Sequence, residues 1–407
     1  MMNCRGCGTK LSLTFLDLGM SPIANSLIDA NQFNQHDKVY PLRAMTCEKC
    51  ALVQLSEEIP KEILFPSNYT YFSSYSSTWL EHSRAYAEKM ITLLRLNQND
   101  LVVEIASNDG YLLQYFAQSN IQVLGIEPAS GVAKTAMAKG IPTQIDYFGE
   151  STAAELAKGK KPRLIVANNV LAHVPDIHDF IKGFSILIAD DGVINFEFPH
   201  LLNLIKNTQF DTIYHEHYSY LSVSALLPIF AQYELKVINV EKLLTHGGSI
   251  RLFVAKNISN WEVHDSVQKI IDEESQYDPR DSRTYESLQR VMEEIKNDLQ
   301  SELMKSKKDG KRISAYGAAA KGVTLLNYCG IGSDLIDYVV DLNPNKQGKF
   351  LPGSQIPIVD INVLNRNCPD ILLVLPWNLS FEIKSQLSPY LKSGMRFIRA
   401  IPKVEFF

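Results

Sequence analysis

Short apolar strands alternate with helices through most of this chain, and that alternation constrains the fold more than any other feature. In the first alternating unit, strands are expected at 101–105, 122–127, 163–168 and 192–197. A second, smaller unit begins at Arg312, with strands expected at 312–317, 336–340 and 370–375. Strands that alternate with helices favour a parallel, doubly wound sheet. We therefore predict an α/β protein with two Rossmann-like domains.

Two Cys-x-x-Cys pairs lie within the first fifty residues: Cys4 with Cys7, and Cys47 with Cys50. In a reducing compartment, this spacing favours a metal site over disulfides. Two such pairs supply the four thiolates of a tetrahedral zinc site, and four sulfur ligands leave no open position for catalysis. We predict structural Zn²⁺ here. The alternative is a set of redox-active or unpaired thiols.

Charge and hydropathy exclude several classes of partner. The formal net charge is −5 and there is no large basic block, which argues against nucleic acid as a partner. No apolar run approaches the ~20 residues of a membrane span, and the first residues lack an apolar signal core. We expect a cytoplasmic protein with no membrane partner. A monomer is the default expectation, although the sequence does not fix the oligomeric state.

Three regions follow from these patterns. Residues 1–74 form the zinc-binding module and end in a tyrosine- and serine-rich stretch, which is either a functional loop or a packed linker. Residues 75–256 form the first α/β domain. Residues 257–407 form the second, which opens with a charged segment, 261–308, expected to be one or two connecting helices.

The first α/β domain lacks the Gly-x-Gly-x-x-Gly pattern of dinucleotide sites. Instead, Glu104 ends one strand and Glu127 ends the next, where a carboxylate suits a ribose diol; a solvated strand end is the alternative for Glu127. S-adenosylmethionine carries a ribose and an amino-acid tail but no phosphate, so it fits such a site. The predicted cofactor residues are Glu104, Ala106, Asn108, Gly110, Tyr111, Leu112, Glu127, Pro128, Asp146, Tyr147, Asn168, Asn169 and His173.

The run Tyr214-His215-Glu216-His217 is the densest group of acid–base side chains in the chain. Histidine titrates near neutral pH, so proton transfer is plausible here. The alternative is a polar strand edge whose ring nitrogens bond to backbone. Because the cysteines account for a metal elsewhere, these histidines need not be ligands, and His215 is expected to be structural.

The second α/β domain carries Gly317-Ala318-Ala319-Ala320-Lys321-Gly322 between a strand and a helix. Small residues at a helix N-terminus let backbone N–H groups approach an anion such as a pyrophosphate, and Lys321 is expected to add a contact. The alternative is a tight packing turn with a solvated lysine. Arg251, after His246-Gly247-Gly248-Ser249-Ile250, is either a substrate contact or a structural ion pair.

Separated motifs along the chain together resemble the nucleotide-sugar C-methyltransferase family: the segments 103–110, 214–217 and 246–251, together with the cysteine pairs and the segment 317–322. The resemblance covers the whole chain. It implies that the middle domain binds S-adenosylmethionine and that His217 is the catalytic base, with Tyr214, Glu216 and His173 beside it. It also implies that a tyrosine of 69–75 reaches the pocket; we choose Tyr71, although the sequence does not fix which one.

The expected reaction is methylation of carbon in a 4-keto-6-deoxy nucleotide-sugar, at C-3 in preference to C-5, through an enolate made by a general base. The expected substrate residues are Tyr69, Tyr71, Ser73, Tyr75, His246, Gly248, Arg251, Tyr316, Ala318, Ala319, Lys321, Asp341, Trp377 and Asn378. The alternatives are an O- or N-methyltransferase, a non-catalytic zinc-containing interaction protein, and an NAD-dependent oxidoreductase, which the missing glycine pattern disfavours.

Overall fold

The computed structural model describes residues 2–33, 37–64 and 72–407. Its strands are β1 (Leu13–Pro22), β2 (Val39–Thr46), β3 (Val53–Leu55), β4 (Leu101–Ile105), β5 (Gln122–Ile126), β6 (Thr143–Gln144), β7 (Leu164–Asn168), β8 (Val193–Pro199), β9 (Ser219–Tyr220), β10 (Leu235–Leu243), β11 (Ser249–Lys256), β12 (Ile313–Tyr316), β13 (Val339–Val340), β14 (Ile358–Val359), β15 (Ile371–Val374), β16 (Arg396–Arg399) and β17 (Glu405–Phe406).

The α-helices connect these strands. They are α1 (Lys61–Leu64), α2 (Ser77–Leu94), α3 (Leu113–Gln118), α4 (Ser130–Ala138), α5 (Glu150–Leu156), α6 (Ile177–Leu187), α7 (Leu201–Lys206), α8 (Val223–Gln232), α9 (Asp265–Ser275), α10 (Ser282–Lys308), α11 (Ala320–Cys329), α12 (Val363–Arg366) and α13 (Ser380–Gln386). Among the described residues, no helix has both the length and the apolar character needed to span a membrane.

The N-terminal sheet is antiparallel and has the strand order β1-β2-β3-β9. Its fourth strand comes from far along the chain, because Val53 of β3 pairs with Tyr220 of β9. Strand β9 directly follows the His215–His217 run. The zinc module is therefore joined by backbone hydrogen bonds to the segment that carries the predicted base.

The middle sheet has the order β10-β11-β8-β7-β4-β5-β6. Strands β6, β5, β4, β7 and β8 are parallel, as predicted, while β11 and β10 form an antiparallel hairpin that the sequence patterns did not indicate. The carboxyl ends of the parallel strands meet at one edge of the sheet. Ligands of open α/β sheets bind at that edge.

The C-terminal sheet has the order β14-β13-β12-β15-β16-β17, with only β17 antiparallel among its strands. The strand order reverses between β12 and β15, which places a crevice at their carboxyl ends. The segment that enters this crevice after β12 is Gly317-Ala318-Ala319, and the segment after β15 holds Trp377 and Asn378.

The charged segment 261–308 forms two helices, α9 and α10, which separate near Pro279 because proline cannot continue a helix. Buried residues of α10, such as Leu299, share one apolar cluster with Phe15 of the N-terminal sheet and Ile313 of the C-terminal sheet. Cys47 and Phe196 belong to a second cluster that joins the zinc module to the middle domain. The three sheets therefore pack against one another through continuous cores.

Candidate active site

His217 is buried and has its tautomer fixed by two hydrogen bonds. Its Nδ1 lies 3.0 Å from the carbonyl oxygen of Thr212, which only accepts, so Nδ1 carries the proton. Its Nε2 lies 2.9 Å from the Tyr214 hydroxyl, which donates to it. Burial, with smaller contributions from His173, His246 and Lys321, lowers the pKa of His217 well below its usual value. The imidazole is therefore neutral near pH 7, with its lone pair on Nε2.

His173 lies beside this ring, with 4.7 Å between the ring centroids of His173 and His217. Its Nδ1 donates to the backbone carbonyl of Glu216 over 2.6 Å, and burial lowers its pKa. Among the described residues, the Glu216 carboxylate forms no hydrogen bond with either histidine. It accepts from the Asn25 side chain at 3.0 Å instead, and burial raises its pKa to about 7. Backbone carbonyls perform the orienting role because the chain turns tightly over 212–217.

His215 points away from this group. Its Nε2 donates to the carbonyl oxygen of Pro41 at 3.3 Å, and its ring packs edge-on against Tyr40 of β2, with centroids 5.9 Å apart. These are contacts to the N-terminal sheet. A structural role for His215 stays our prediction, and the geometry is in keeping with it.

Strained and unsatisfied groups cluster at the carboxyl edge of the middle sheet. Ala106, Asn108 and Asn169 all have positive φ angles, 55°, 50° and 54°, which cost energy for residues other than glycine. Both carboxylate oxygens of Glu104 and the amide oxygen of Asn169 are buried without a hydrogen-bond partner among the described residues. Buried polar atoms are normally paired, so this edge is shaped for a polar ligand.

Glu104 is fully buried, and burial raises its pKa well above the usual range. The Tyr111 side chain is close enough to oppose that shift, although it forms no hydrogen bond of standard geometry with Glu104. Glu127 accepts from the backbone N–H groups of Asn108 at 2.9 Å and Ala129 at 2.8 Å. Glu127 therefore braces the loop after β4, and ribose binding by Glu127 stays a prediction.

Part of the tyrosine- and serine-rich stretch reaches the same loop. The Ser73 N–H donates to the Asn108 side chain at 2.9 Å, and the Ser74 hydroxyl donates to Asp109. Tyr69 and Tyr71 lie outside the described residues, and only the backbone of Tyr75 is described. The remaining predicted cofactor residues follow the strands at this edge. Asp146 and Tyr147 are exposed after β6. Gly110 and Leu112 are buried after β4, and Pro128 and Asn168 are half-buried.

A charged and aromatic cluster lies at the end of β8, and the sequence patterns did not indicate it. Glu197 is fully buried, forms an ion pair with Arg251 and lies 3.0 Å from Nε2 of His82. Trp79 stacks on His82 with 5.0 Å between centroids. The ion-pair alternative thus describes the contacts of Arg251, and substrate binding by Arg251 stays a prediction. The one sequence signal for this cluster was an acidic residue, Glu197, at the end of the expected strand 192–197. Nothing in the sequence linked Glu197 to His82 on α2.

His246 lies beside this cluster, in contact with Trp79. It has a φ of 54°, its ring lies 5.3 Å from Trp79, and its Nε2 accepts from the Asn169 side chain at 3.3 Å. Burial and the charge of Lys321 lower its pKa to about 4, so the ring is neutral. The next residue, Gly247, has a φ of 89°, and a β-carbon there would overlap the indole of Trp377. Gly248 likewise leaves room for Asn203.

The C-terminal domain meets the middle domain at this point. The Trp377 indole N–H donates to Asp211 at 2.7 Å, and the Lys321 ammonium lies 4.7 Å from the centre of the Trp377 ring. Lys321 also donates to the Asn378 side chain at 2.7 Å. Burial raises the pKa of Asp211 to about 6. Asp211 was not predicted, because its partner is 166 positions away in sequence.

The predicted pyrophosphate loop is already braced. The Ala318 N–H donates to Asp341 at 2.8 Å, and the Ala319 N–H donates to Gly317 at 2.8 Å. Lys346 bonds to the Ala318 carbonyl oxygen at 2.7 Å. Tyr316, at the end of β12, is buried, which raises its pKa to about 12. The Ala318 and Ala319 N–H groups, which were expected to bind phosphate, thus already donate to Asp341 and Gly317.

The four cysteines meet as predicted. Their Sγ atoms all lie within 4.8 Å of one another, with Cys4 3.5 Å from Cys50 and Cys7 3.4 Å from Cys47. Four sulfurs at the ~2.3 Å bond length of tetrahedral zinc would stand about 3.8 Å apart, so the cluster fits Zn²⁺. The Gly6 N–H and the Gln54 amide also donate to Cys4 Sγ, which favours the thiolate. The zinc is therefore structural.

Three family models match consecutive parts of the chain. Residues 4–65 match a zinc-binding domain, residues 79–240 match a methyltransferase domain, and residues 244–402 match the C-methyltransferase C-terminal domain. The order of these matches follows the order of the three sheets, although β9 of the N-terminal sheet lies within the second match and β11 of the middle sheet within the third. The zinc-domain match also contains all four clustered cysteines.

A curated relative and several solved structures are similar to the chain. The C-methyltransferase NovU of Streptomyces niveus is 35% identical over 401 residues, covering 98% of this chain and 95% of NovU. Magnesium protoporphyrin IX methyltransferase of Synechocystis PCC 6803 is 16% identical with a TM-score of 0.34, covering 44% of this chain and 83% of that one. The plantazolicin methyltransferase BamL is 12% identical with a TM-score of 0.36, covering 44% and 86%. The match to NovU, with the three domain models, shows that the chain belongs to the C-methyltransferase family with an N-terminal zinc-binding domain and is an S-adenosylmethionine-dependent methyltransferase.

Proposed function

We propose that the chain methylates carbon in a 4-keto-6-deoxy nucleotide-sugar, at C-3, through an enolate. The observation that carries this proposal is the neutral, buried imidazole of His217, which presents Nε2 to Tyr214 beside His173. A sugar carbon becomes a nucleophile only next to a ketone, and a 4-ketone activates C-3 and C-5. A positioned base is therefore what this chemistry requires.

The base step assigns a role to each nearby group. His217 Nε2 takes the proton from C-3, and the electrons of the C–H bond pass to the carbonyl oxygen. The Tyr214 hydroxyl shifts its hydrogen bond from Nε2 to that oxygen, which frees the Nε2 lone pair. The carbonyl oxygens of Thr212 and Glu216 hold His217 and His173 in the correct tautomers throughout.

When bound, S-adenosylmethionine supplies an electrophilic methyl group on a sulfonium. A carbon–carbon bond forms as the carbon–sulfur bond breaks, leaving S-adenosylhomocysteine and the methylated ketosugar, and His217 later returns its proton to water. Glu104, Glu127 and Asn169 are proposed to hold the cofactor at the sheet edge. Positioning of donor and acceptor supplies part of the rate enhancement.

The second substrate is proposed to lie between the middle and C-terminal domains. His246, Lys321 and Trp377 come from different domains and face one seam. The braced 316–319 loop and Asp341 would border the nucleotide. A cytoplasmic location belongs to the same proposal, supported by a cysteine cluster that suits a metal and a reducing compartment. A monomer is also part of the proposal.

The test is a turnover screen. Wild-type protein would be given S-adenosylmethionine with thymidine-diphosphate and guanosine-diphosphate 4-keto-6-deoxyhexoses, and the products would be assigned by NMR. We expect one new carbon–methyl group at C-3. In D₂O with S-adenosylhomocysteine replacing the donor, the C-3 proton should exchange with solvent. A methyl group on oxygen or nitrogen, or no turnover with any ketosugar, would refute the proposal.

A further inference from the structure

Lys321 holds a fixed position at the seam between the two α/β domains. It lies in the first turn of α11, where its ammonium donates to Asn378 at 2.7 Å and sits 4.7 Å from the centre of the Trp377 ring. The Trp377 indole is itself hydrogen-bonded to Asp211 of the middle domain at 2.7 Å. The contacts with Asn378 and Trp377 therefore hold the Lys321 ammonium in place, and Trp377 is itself held by Asp211.

The same face of α11 is directed at the segment that carries the base. Thr324, one turn after Lys321, donates its hydroxyl to the carbonyl oxygen of Ile213 at 3.1 Å. Residues three apart on a helix share a face, so Lys321 lies on the side that contacts residues just before Tyr214. The Lys321 charge also contributes to the lowered pKa of His217 and of His246. Both histidines are thus within electrostatic range of it.

This charge has no anionic partner at contact distance. Within residues 2–33, 37–64 and 72–407, no carboxylate comes within 4.0 Å of Lys321 Nζ, in contrast to Arg251 and Lys346. Loss of solvent lowers the pKa of Lys321, while Asp211 opposes that shift from a longer distance. A desolvated cation without a partner is unfavourable unless a ligand supplies the anion.

Two parts of the proposed substrate bring negative charge: the pyrophosphate and the enolate oxygen. The pyrophosphate is the weaker candidate, since Asp211 lies near Lys321 with a buried, unpaired Oδ1 that would repel a group of two or more negative charges. The enolate carries one charge, and its oxygen is only two bonds from the carbon that His217 deprotonates. Any group that stabilises it must lie near the base, and Lys321 is on the helix face that contacts Ile213 and within electrostatic range of His217.

We propose that Lys321 is a catalytic residue whose ammonium stabilises the enolate oxygen, and that it is not a pyrophosphate contact. This inference rests on the proposed function. It assigns the C-terminal domain a part in the chemistry, since a lysine from that domain acts on a proton transfer carried out by the middle domain. Removal of the charge should then slow enolate formation more than it weakens substrate binding.

The experiment compares Lys321→Met, Lys321→Arg and a matched control, Lys311→Met, whose side chain is 53% exposed in the same domain. The substrate is the ketosugar nucleotide that wild-type protein methylates. We expect Lys321→Met to lower kcat and the rate of C-3 deuterium exchange together, by about 10²–10³-fold, with KM changed by less than about fivefold. Lys321→Arg should retain more exchange than Lys321→Met, and Lys311→Met should match wild type.

The outcomes separate this inference from the function on which it rests. If wild-type protein neither methylates a ketosugar nor exchanges its proton, both fail. If wild type is active and Lys321→Met raises KM with kcat unchanged, the lysine binds pyrophosphate and only the inference fails. Exchange at the wild-type rate in Lys321→Met also overturns it. Thermal unfolding of each variant shows whether folding is intact, and Lys321→Arg provides the test if Lys321→Met does not fold.

Discussion

The hydroxyl of Tyr214 donates to Nε2 of His217 over 2.9 Å, while Nδ1 of the same ring donates to the carbonyl oxygen of Thr212. A single turn of chain thus fixes both the tautomer and the direction of the base. Because Tyr214 covers Nε2, the base is protected from water until a carbonyl oxygen competes for the tyrosine's hydrogen. The two residues are best treated as one acid–base unit.

Replacement of His217 by Asn should remove turnover while cofactor binding survives. Asparagine preserves a donor to Thr212 but supplies no basic nitrogen. We expect kcat to fall by at least about 10²–10⁴-fold, the usual contribution of a general base. Turnover would be followed by mass spectrometry and S-adenosylmethionine binding by calorimetry. Near-wild-type turnover would remove His217 from the mechanism.

His215→Asn is the matched control for that variant, because it makes the same substitution two residues away. His215 bonds to Pro41 and does not face His173. We expect kcat within a few-fold of wild type and a lower unfolding temperature, since a buried contact to the N-terminal sheet is lost. A large loss of kcat in a folded variant would instead place His215 in the chemistry.

Glu127→Ala should weaken cofactor binding more than it affects folding. The substitution removes the carboxylate that accepts from Asn108 and Ala129 and that we expect to bind a ribose. Hydrogen bonds to a charged group contribute about 1.5–3 kcal/mol, so the Kd for S-adenosylmethionine should rise about 10- to 100-fold. Calorimetry measures this directly. Glu155→Ala, at an exposed position on α5, is the control; equal Kd values for the two variants would contradict the ribose role.

Loss of the metal should destabilise the protein without removing any catalytic group. Cys47→Ala deletes one of four clustered sulfurs, and structural zinc contributes directly to folding free energy. We expect less than one equivalent of zinc by elemental analysis and a lower unfolding temperature. A strong chelator should have the same effect on wild type. Cys368→Ser should keep its zinc, because Cys368 lies outside the cluster.

Stability should depend on pH through Glu216. Burial raises its pKa in the folded protein to about 7, above the unfolded value of about 4.3, so the folded state binds more protons between these values. Wild type should therefore lose stability as pH rises from 5 to 8, by about 3 kcal/mol at most. Glu216→Gln mimics the protonated carboxyl and should lack this loss. Parallel unfolding curves for both proteins across this range would contradict the assignment.

Individual strands and helices could be predicted from the sequence because each depends on the pattern of neighbouring residues. The strand predicted at 101–105 is β4 itself. The amphipathic pattern of residues 79–96 indicates a helix, and α2 runs from Ser77 to Leu94, where it stops because Arg95 adopts a left-handed conformation. The cysteine spacing likewise specified the metal cluster, since each pair fixes two ligands on one turn.

The seam between domains was not accessible, because it depends on partners far apart in the chain. Nothing near Asp211 indicates Trp377, and nothing near His82 indicates Glu197. The groups that orient the two histidines were not accessible for a related reason. Carboxylates are the obvious partners for histidine in a sequence, whereas the carbonyls that orient these rings are present at every residue and become informative only once the turn is known.

The pairing of β3 with β9 has a consequence for biosynthesis. All four cysteines are translated before β9, so the metal can be captured before the N-terminal sheet is complete, because that sheet lacks its last strand until Tyr220 has been made. Strand β3 of the nascent zinc module therefore has one unpaired edge while more than 160 further residues are translated. His217 lies two residues before β9, so pairing of β9 with β3 also fixes the chain on one side of the base.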